Sequence, residues 1–259
     1  MDAIVTAGGI PQPEEPLYEY TKGISKALLD INGKPMIQWV LDALCDARTI
    51  ERIIIVGLTP EDGLNCSKLA AYIPNQGAML DNIRSGMIKQ QEINPQGKYA
   101  LFVSSDIPGI TSEMVDWVVN TAMQTQDDVY YNLIERKVME TRYPNSKRTY
   151  TRLKDVEVCG GDMNVIRIMT GKEKDVLWNR LIASRKNPIK QASLFGWGTL
   201  FLVLTRQITL KQGTERLSKR LGLRGRTILC PHAEIGMDVD KPFQLELIRA
   251  DLAEHQNAS

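Results

Sequence analysis

Four short stretches carry residue types suited to gripping a polyphosphate and a hard cation. The first is Ala7-Gly8-Gly9, which directly follows the apolar run at residues 2–7. Glycines at the carboxyl end of a buried strand let backbone N–H groups approach phosphate oxygens with no Cβ in the way. Alone, such a pair after a strand is more often just a turn. The second is Lys26, which stands just ahead of a short extended piece at residues 27–31 and the turn signal Asn32-Gly33. A lysine close to a glycine turn can supply positive charge where a triphosphate is cleaved. Taken by itself it is one solvated lysine among many.

The third is Asp106, in Ser104-Ser105-Asp106-Ile107-Pro108 at the end of an apolar run over residues 99–104. A carboxylate there is costly to bury unless it is paired or holds a metal. It suits Mg²⁺, a hard ion that takes oxygen ligands. A capping role is the alternative, although Thr111 and Ser112 are better placed for that. The fourth is Gly236-Met237-Asp238-Val239-Asp240-Lys241-Pro242. Alternate residues of an extended segment share a side, so Asp238 or Asp240 can face Asp106 and complete a two-carboxylate clamp. Asp240 also precedes a helix start, which leaves an N-cap role open for it.

Positioning these residues requires strands that end at them. Residues 2–7, 52–56 and 99–104 read as buried strands, with a shorter one at 72–73. Helical spacing follows Pro35 (Met36, Ile37, Val40, Leu41 and Leu44), and helices are also expected over residues 78–91, with Met79, Ile83 and Met87 on one side, and 111–125. Residues 10–25, with Pro11, Pro13 and Pro16, read as a loop. This alternation predicts βαβ units and an α/β fold whose largely parallel sheet carries helices on both faces.

Further along, strands are expected over residues 129–134, 156–168 and 226–230, and helices over 173–185 and 242–253. Gly160-Gly161-Asp162-Met163-Asn164 interrupts the second of these strands, as glycine does at a point of close approach. Arg142, Lys147, Arg148, Arg152 and Lys154 form either a solvated basic face or a cradle for an anionic acceptor. The apolar stretch at residues 194–204 is too short to span a bilayer, which needs ~20 apolar residues. It is expected to be a core or homodimer-interface helix rather than a membrane contact.

A chain of 259 residues suits one domain with an inserted lobe. Its 32 basic and 31 acidic residues nearly cancel, which argues against a nucleic-acid partner. Cys45, Cys66, Cys159 and Cys230 form no CxxC pair, and there are two histidines, so a zinc site is not expected. Reduced thiols and the lack of a basic, apolar leader at the N-terminus point to the cytoplasm.

In this order the four stretches resemble the molybdenum-cofactor and sugar-phosphate nucleotidyltransferases. Residues 26–40 (KALLDINGKPMIQWV) are similar to that family's lysine, short strand and GKP helix start, residues 105–108 (SDIP) to its aspartate-proline strand end, and residues 239–245 (VDKPFQL) to its late Val-Asp segment. The resemblance implies a Rossmann-like (GT-A type), mostly parallel sheet flanked by helices, with a smaller inserted acceptor-binding lobe. The single domain over 1–259 would divide into a nucleotide-binding core (1–130 and 226–250) and an acceptor-binding or interface lobe (131–225). By position, Ala7, Gly8 and Gly9 would meet the nucleotide, Gln76 and Gly77 its base or ribose, and Lys26 its phosphates. Lys26 and Asp106 would be catalytic, Asp106 and Asp240 would hold Mg²⁺, and Gly161, Asp162 and Asn164 would meet the acceptor. The family carries an arginine after its glycine turn. Here no arginine precedes Lys26, and Lys22, beside Gly23, would stand in for it.

The implied reaction moves a nucleoside monophosphate from a nucleoside triphosphate to a phosphorylated small-molecule acceptor and releases pyrophosphate. Two other readings stay open. One is a non-catalytic nucleotide-binding regulatory protein. The other is a nucleotide-sugar glycosyltransferase, which would place an Asp-x-Asp pair on a central strand, whereas Asp238-x-Asp240 lies late in the chain.

Overall fold

The computed structural model describes residues 1–168 and 196–258. At its centre β1 (Asp2–Thr6) pairs in parallel with β4 (Arg52–Val56) on one side and β6 (Tyr99–Ser104) on the other. The register sets Thr6 opposite both Val56 and Ser104, so the three strands end level and their following loops meet. β5 (Leu69–Ile73), longer than the sequence suggested, extends the sheet beyond β4.

On the far side of β6 lies β10 (Met163–Arg167), antiparallel to it, and then β7 (Val129–Glu135). The stretch expected as one strand over 156–168 is divided. β10 pairs with the first half of β7, and β9 (Glu157–Gly160) with the second half; Gly161 and Asp162 form the break between them. β8 (Thr151–Arg152) adds to β9, and β11 (Gly225–Leu229) lies parallel on the other edge of β7. The resulting nine-stranded sheet is mixed and mostly parallel: β5, β4, β1, β6, β7, β8 and β11 share one direction, against which β9 and β10 run.

Period-two alternation sorts the side chains into two cores. Ala3, Val5, Ile53, Ile55, Leu101 and Val103 face α2 (Met36–Asp46), α4 (Ser112–Ala122) and α8 (Pro242–Ala258). Ile4, Ile54, Val56, Ala100 and Phe102 face α3 (Met79–Ile93). α2 buries Met36, Ile37, Val40, Leu41 and Leu44, the face read from the sequence. In α3 Met87 is buried, but Met79 at the helix start is 67% exposed, contrary to expectation. Gly86 lets α3 lie close on the sheet, since a Cβ there would stand 2.6 Å from Ile4 Cγ2.

Several local expectations change. The proline-rich loop contains a one-turn helix, α1 (Tyr18–Thr21), and residues 26–28 wind as a 3₁₀ turn before the hairpin of β2 (Asp30–Ile31) and β3 (Lys34–Pro35). α5 (Arg136–Arg142) and α7 (Leu210–Leu221) are additional to the expected helices, although α7 carries Leu210, Leu217 and Leu221 at helical spacing behind a Thr209–Gln212 capping box. The helix expected over 173–185 lies outside the described residues. α6 (Trp197–Leu204) forms within the apolar stretch but buries none of its residues; Trp197, Phe201 and Leu204 are exposed, which overturns the core reading of that segment. No described helix is long and apolar enough to cross a membrane.

Candidate active site

The level ends of β1 and β4 bring two glycine turns together, backbone against backbone. Gly57, after β4, has a φ of 112°, and a Cβ on it would stand 2.3 Å from the Gly8 nitrogen. The Ala7 N–H donates to the Val56 carbonyl at 2.7 Å, closing the contact. Gly8 is enclosed from the other side as well: a Cβ there would meet both Asn75 Oδ1 and Asn82 Nδ2 at 2.7 Å.

Those two asparagines form a clasp that sequence reading missed. Asn75 Nδ2 donates to the Gly8 carbonyl at 2.9 Å, and Asn82 Nδ2 donates to Asn75 Oδ1 at 3.1 Å. Asn75 Oδ1 also accepts from the Gly77 N–H, while Asn82 Oδ1 accepts from the Gln76 N–H. Gln76 and Gly77 are thereby placed beside the Gly8 turn. The available signal was Asn75, two residues before Gly77, an Asx-turn spacing; nothing in the sequence marks Asn82, a buried amide on α3.

Lys26 is tied to the same turn. The Ser25 hydroxyl donates to the Ala7 carbonyl at 2.7 Å and accepts from the Ala27 N–H, which caps the 3₁₀ turn. The Lys26 N–H donates to the Gly9 carbonyl at 2.9 Å. Its stem runs past Gly9, where a Cβ would stand 3.4 Å from Lys26 Cε. The ammonium then reaches Asp106 Oδ2 and Asp240 Oδ1, each at 2.5 Å.

Asp106 is fixed by its backbone: its carbonyl accepts from the Val239 N–H at 2.9 Å, and the Ser105 N–H donates to Thr6. That Val239 contact draws the 238–240 segment against the end of β6. Burial opposes the Lys26 charge, but Asp106 and Asp240 outweigh it and hold the ammonium above its ordinary range. Asp106 Oδ1 is buried without a hydrogen-bond partner, which leaves one acceptor of this carboxylate unsatisfied. No group of three or more His, Cys, Asp or Glu side chains gathers to hold a metal among the described residues. Two carboxylates turned on one cation nonetheless fit Mg²⁺, which uses few protein ligands and keeps waters and phosphate oxygens.

The strand break brings a third carboxyl group, Asp162, within electrostatic range of Asp106 and Asp240 without joining them as a metal-binding group. The Asp162 N–H donates to Ile235, and its carbonyl accepts from Ser104 at 2.9 Å. Burial, and then the charge of Asp106, push the Asp162 carboxyl up to about 7, with Asp240 adding to the effect and Arg148 and Lys26 opposing it. Gly161 and Asn164 serve the break itself. The Gly161 N–H donates to the Asn132 carbonyl, Asn164 Nδ2 donates to the Gly161 carbonyl, and Asn164 Oδ1 accepts from the Asn132 N–H.

Of the two late aspartates, Asp240 reaches Lys26, and Asp238 instead pairs with Arg148. Arg148 is thus the member of the basic stretch that lies beside the cluster. Arg142 is tied to Glu234 at 2.8 Å and Asp251 at 2.7 Å, Arg152 to Glu157 at 3.3 Å, and Lys147 lies over the Phe243 ring. Lys22 stays outside this contact set: it is exposed and closes α1 at a φ of 46°.

Residues 19–174 match the family model described as the MobA-like NTP transferase domain. A hypothetical transferase from Thermus thermophilus is similar at 31% identity and a TM-score of 0.80, over 94% of this chain and 98% of that one. The fold is shared with CMP:2-keto-3-deoxy-manno-octonic acid synthetase complexed with CTP (16% identity, TM-score 0.60, 98% and 99% of the two chains). It is also shared with 4-diphosphocytidyl-2C-methyl-D-erythritol synthase from Anaerococcus prevotii (10%, 0.57, 97% and 95%). No curated protein sequence matches the chain.

Proposed function

Because the chain belongs to the MobA-like NTP transferase family, we propose that it moves a nucleoside monophosphate from a triphosphate to a phosphorylated small molecule, releasing pyrophosphate. The observation that carries this reading is the Lys26 ammonium held 2.5 Å from both Asp106 and Asp240, beside the Gly8-Gly9 turn. In it the triphosphate lies along Ala7, Gly8 and Gly9, with its base or ribose toward Gln76 and Gly77 and Lys26 on its phosphates. Asp106 and Asp240 would hold Mg²⁺, which when bound neutralises charge building on the α-phosphate and the departing pyrophosphate.

An acceptor phosphate is already anionic at neutral pH and attacks the α-phosphorus without a general base. The protein's own share is therefore placement and charge, rather than proton transfer. Residues 131–225 would supply the acceptor side, where Arg148 and Asp162 stand next to the cluster. The exposed Trp197, Phe201 and Leu204 of α6 favour a homodimer interface for that helix.

Thermal melting with Mg²⁺ and each of ATP, CTP, GTP and UTP tests the reading, alongside Asp106→Ala. One triphosphate should raise the melting temperature of the wild type in a Mg²⁺-dependent way, raise that of the variant less, and release pyrophosphate once an acceptor is supplied. If no triphosphate shifts the wild type, the transferase reading is lost. Binding without pyrophosphate release across phosphorylated acceptors would favour a regulatory nucleotide-binding protein.

A further inference from the structure

Lys26 makes both of its ion pairs with the two carboxylates that the proposed reaction assigns to a divalent ion. Asp106 has a side chain 9% exposed and Asp240 one 54% exposed, and the ammonium touches both at 2.5 Å. Like charges gathered this closely repel, more strongly at the buried Asp106 than at the solvated Asp240, and an internal cation relieves that repulsion. A divalent ion and the Lys26 ammonium therefore compete for the charge of the same two carboxylates, of which Lys26 occupies Asp106 Oδ2 and Asp240 Oδ1.

The backbone geometry gives the ammonium somewhere else to go. The root of the side chain is fixed by the Lys26 N–H bond to Gly9 and by the Ser25 cap, and its stem lies along Gly9. Four rotatable carbons then let the charged end swing from the carboxylates to the face of the glycine turn with no backbone movement. Leaving two carboxylates costs the ammonium its partners unless another anion waits at the turn. A triphosphate over Gly8 and Gly9 is such an anion.

We propose that Lys26 is a resident counter-ion that makes divalent-ion binding at Asp106 and Asp240 conditional on the triphosphate. The free protein then holds divalent ions weakly. Triphosphate draws the ammonium away and opens the carboxylates, so the two ligands bind with positive coupling. The inference rests on the transferase reading for the identity of the ligands, and its test needs no turnover.

The experiment is a titration of metal-free protein with Mn²⁺ alone, read by electron paramagnetic resonance, for the wild type, Lys26→Met and Lys26→Met with Asp106→Asn. Lys26→Met should bind Mn²⁺ about tenfold or more tightly than the wild type, because a competing charge has gone. The double variant should lose that gain. In parallel, Lys26→Met and Lys26→Gln should melt below the wild type in chelator and recover more on adding Mn²⁺ than the wild type gains. This second readout holds even for a variant that folds only with the metal. Equal or weaker Mn²⁺ binding by Lys26→Met overturns the inference, as does a gain that persists in the double variant. If Mn²⁺ binding is unchanged by Lys26→Met while the wild type still releases pyrophosphate from a triphosphate, the counter-ion role alone fails. Loss of both results removes the transferase reading beneath it.

Discussion

A Cβ on Gly57 would stand 2.3 Å from the backbone nitrogen of Gly8, so the turns after β4 and β1 touch without any side chain between them. Gly57 also holds a φ of 112°, a region closed to L-residues in ordinary turns. Gly57→Ala therefore meets both backbone strain and a clash that no side-chain movement relieves. It is expected to lower stability by more than about 2 kcal/mol and to abolish any triphosphate-induced thermal shift. Gly63→Ala is the control: its φ is 67°, but nothing lies within 4 Å of the added carbon. That variant should lose only about 1 kcal/mol, measured by urea unfolding. Equal losses at the two positions would count against the contact.

Asn82→Ala removes the donor to Asn75 and the acceptor for the Gln76 N–H. Leaving those groups unpaired should cost about 1–3 kcal/mol. The larger effect should fall on the ligand, because the clasp positions the Gly8 carbonyl and residues 76–77. Weaker triphosphate binding in Asn82→Ala, beyond what the lowered melting temperature explains, is the expected calorimetric result; unchanged affinity would make the clasp purely structural.

The Asp162 carboxyl is raised from its ordinary 3.8 to about 7, so the folded chain holds this proton more tightly than the unfolded one. The favourable contribution is present at low pH. It is lost as pH rises across that window and is flat above it. The slope should be up to about 1.4 kcal/mol per pH unit for this one group. Metal-free Asp162→Asn should be less sensitive to pH than the wild type between 4 and 7 by that amount. Parallel stability curves for the two proteins would refute the assignment.

Arg142 joins α5 to Glu234 and Asp251, and its tie belongs to packing rather than to the site. Arg142→Met is expected to destabilise by about 2 kcal/mol, below the loss for a fully buried pair because the guanidinium is partly solvated. Its triphosphate-induced thermal shift should match the wild type's. A selective loss of that shift would place Arg142 in the site after all.

Much of the half that carries the glycine turns could be read in advance because its signals are local. Runs such as residues 52–56 and 99–104 are buried on both faces and so are continuously apolar, and the α2 period is carried by five large side chains. The residues of the cluster could be named because each sits at the end of such a run. Their partners could not. Whether Asp238 or Asp240 meets Lys26 depends on the Val239–Asp106 hydrogen bond, which fixes how the segment is rotated, and no spacing rule encodes it. The Asn75–Asn82 clasp joins a loop to the buried side of a helix, where an asparagine looks like any other polar interruption. α6 misled for the opposite reason: apolar composition implied burial, but its eight residues stay at the surface.

Lys26 and Asp240 are 214 positions apart in sequence and 2.5 Å apart in space. The charge balance of the cluster therefore comes into being only when the segment after β11 has docked on the end of β6. During synthesis on the ribosome, Gly8, Lys26 and Asp106 emerge long before their last neighbour, and for that interval Lys26 has one acid partner instead of two. A nascent or clipped chain lacking residues 236–244 would display the glycine turn and the lysine to any polyanion without the carboxylate that completes the set. Such a chain would keep the Lys26–Asp106 pair and lack the more exposed of the two carboxylates that balance the ammonium.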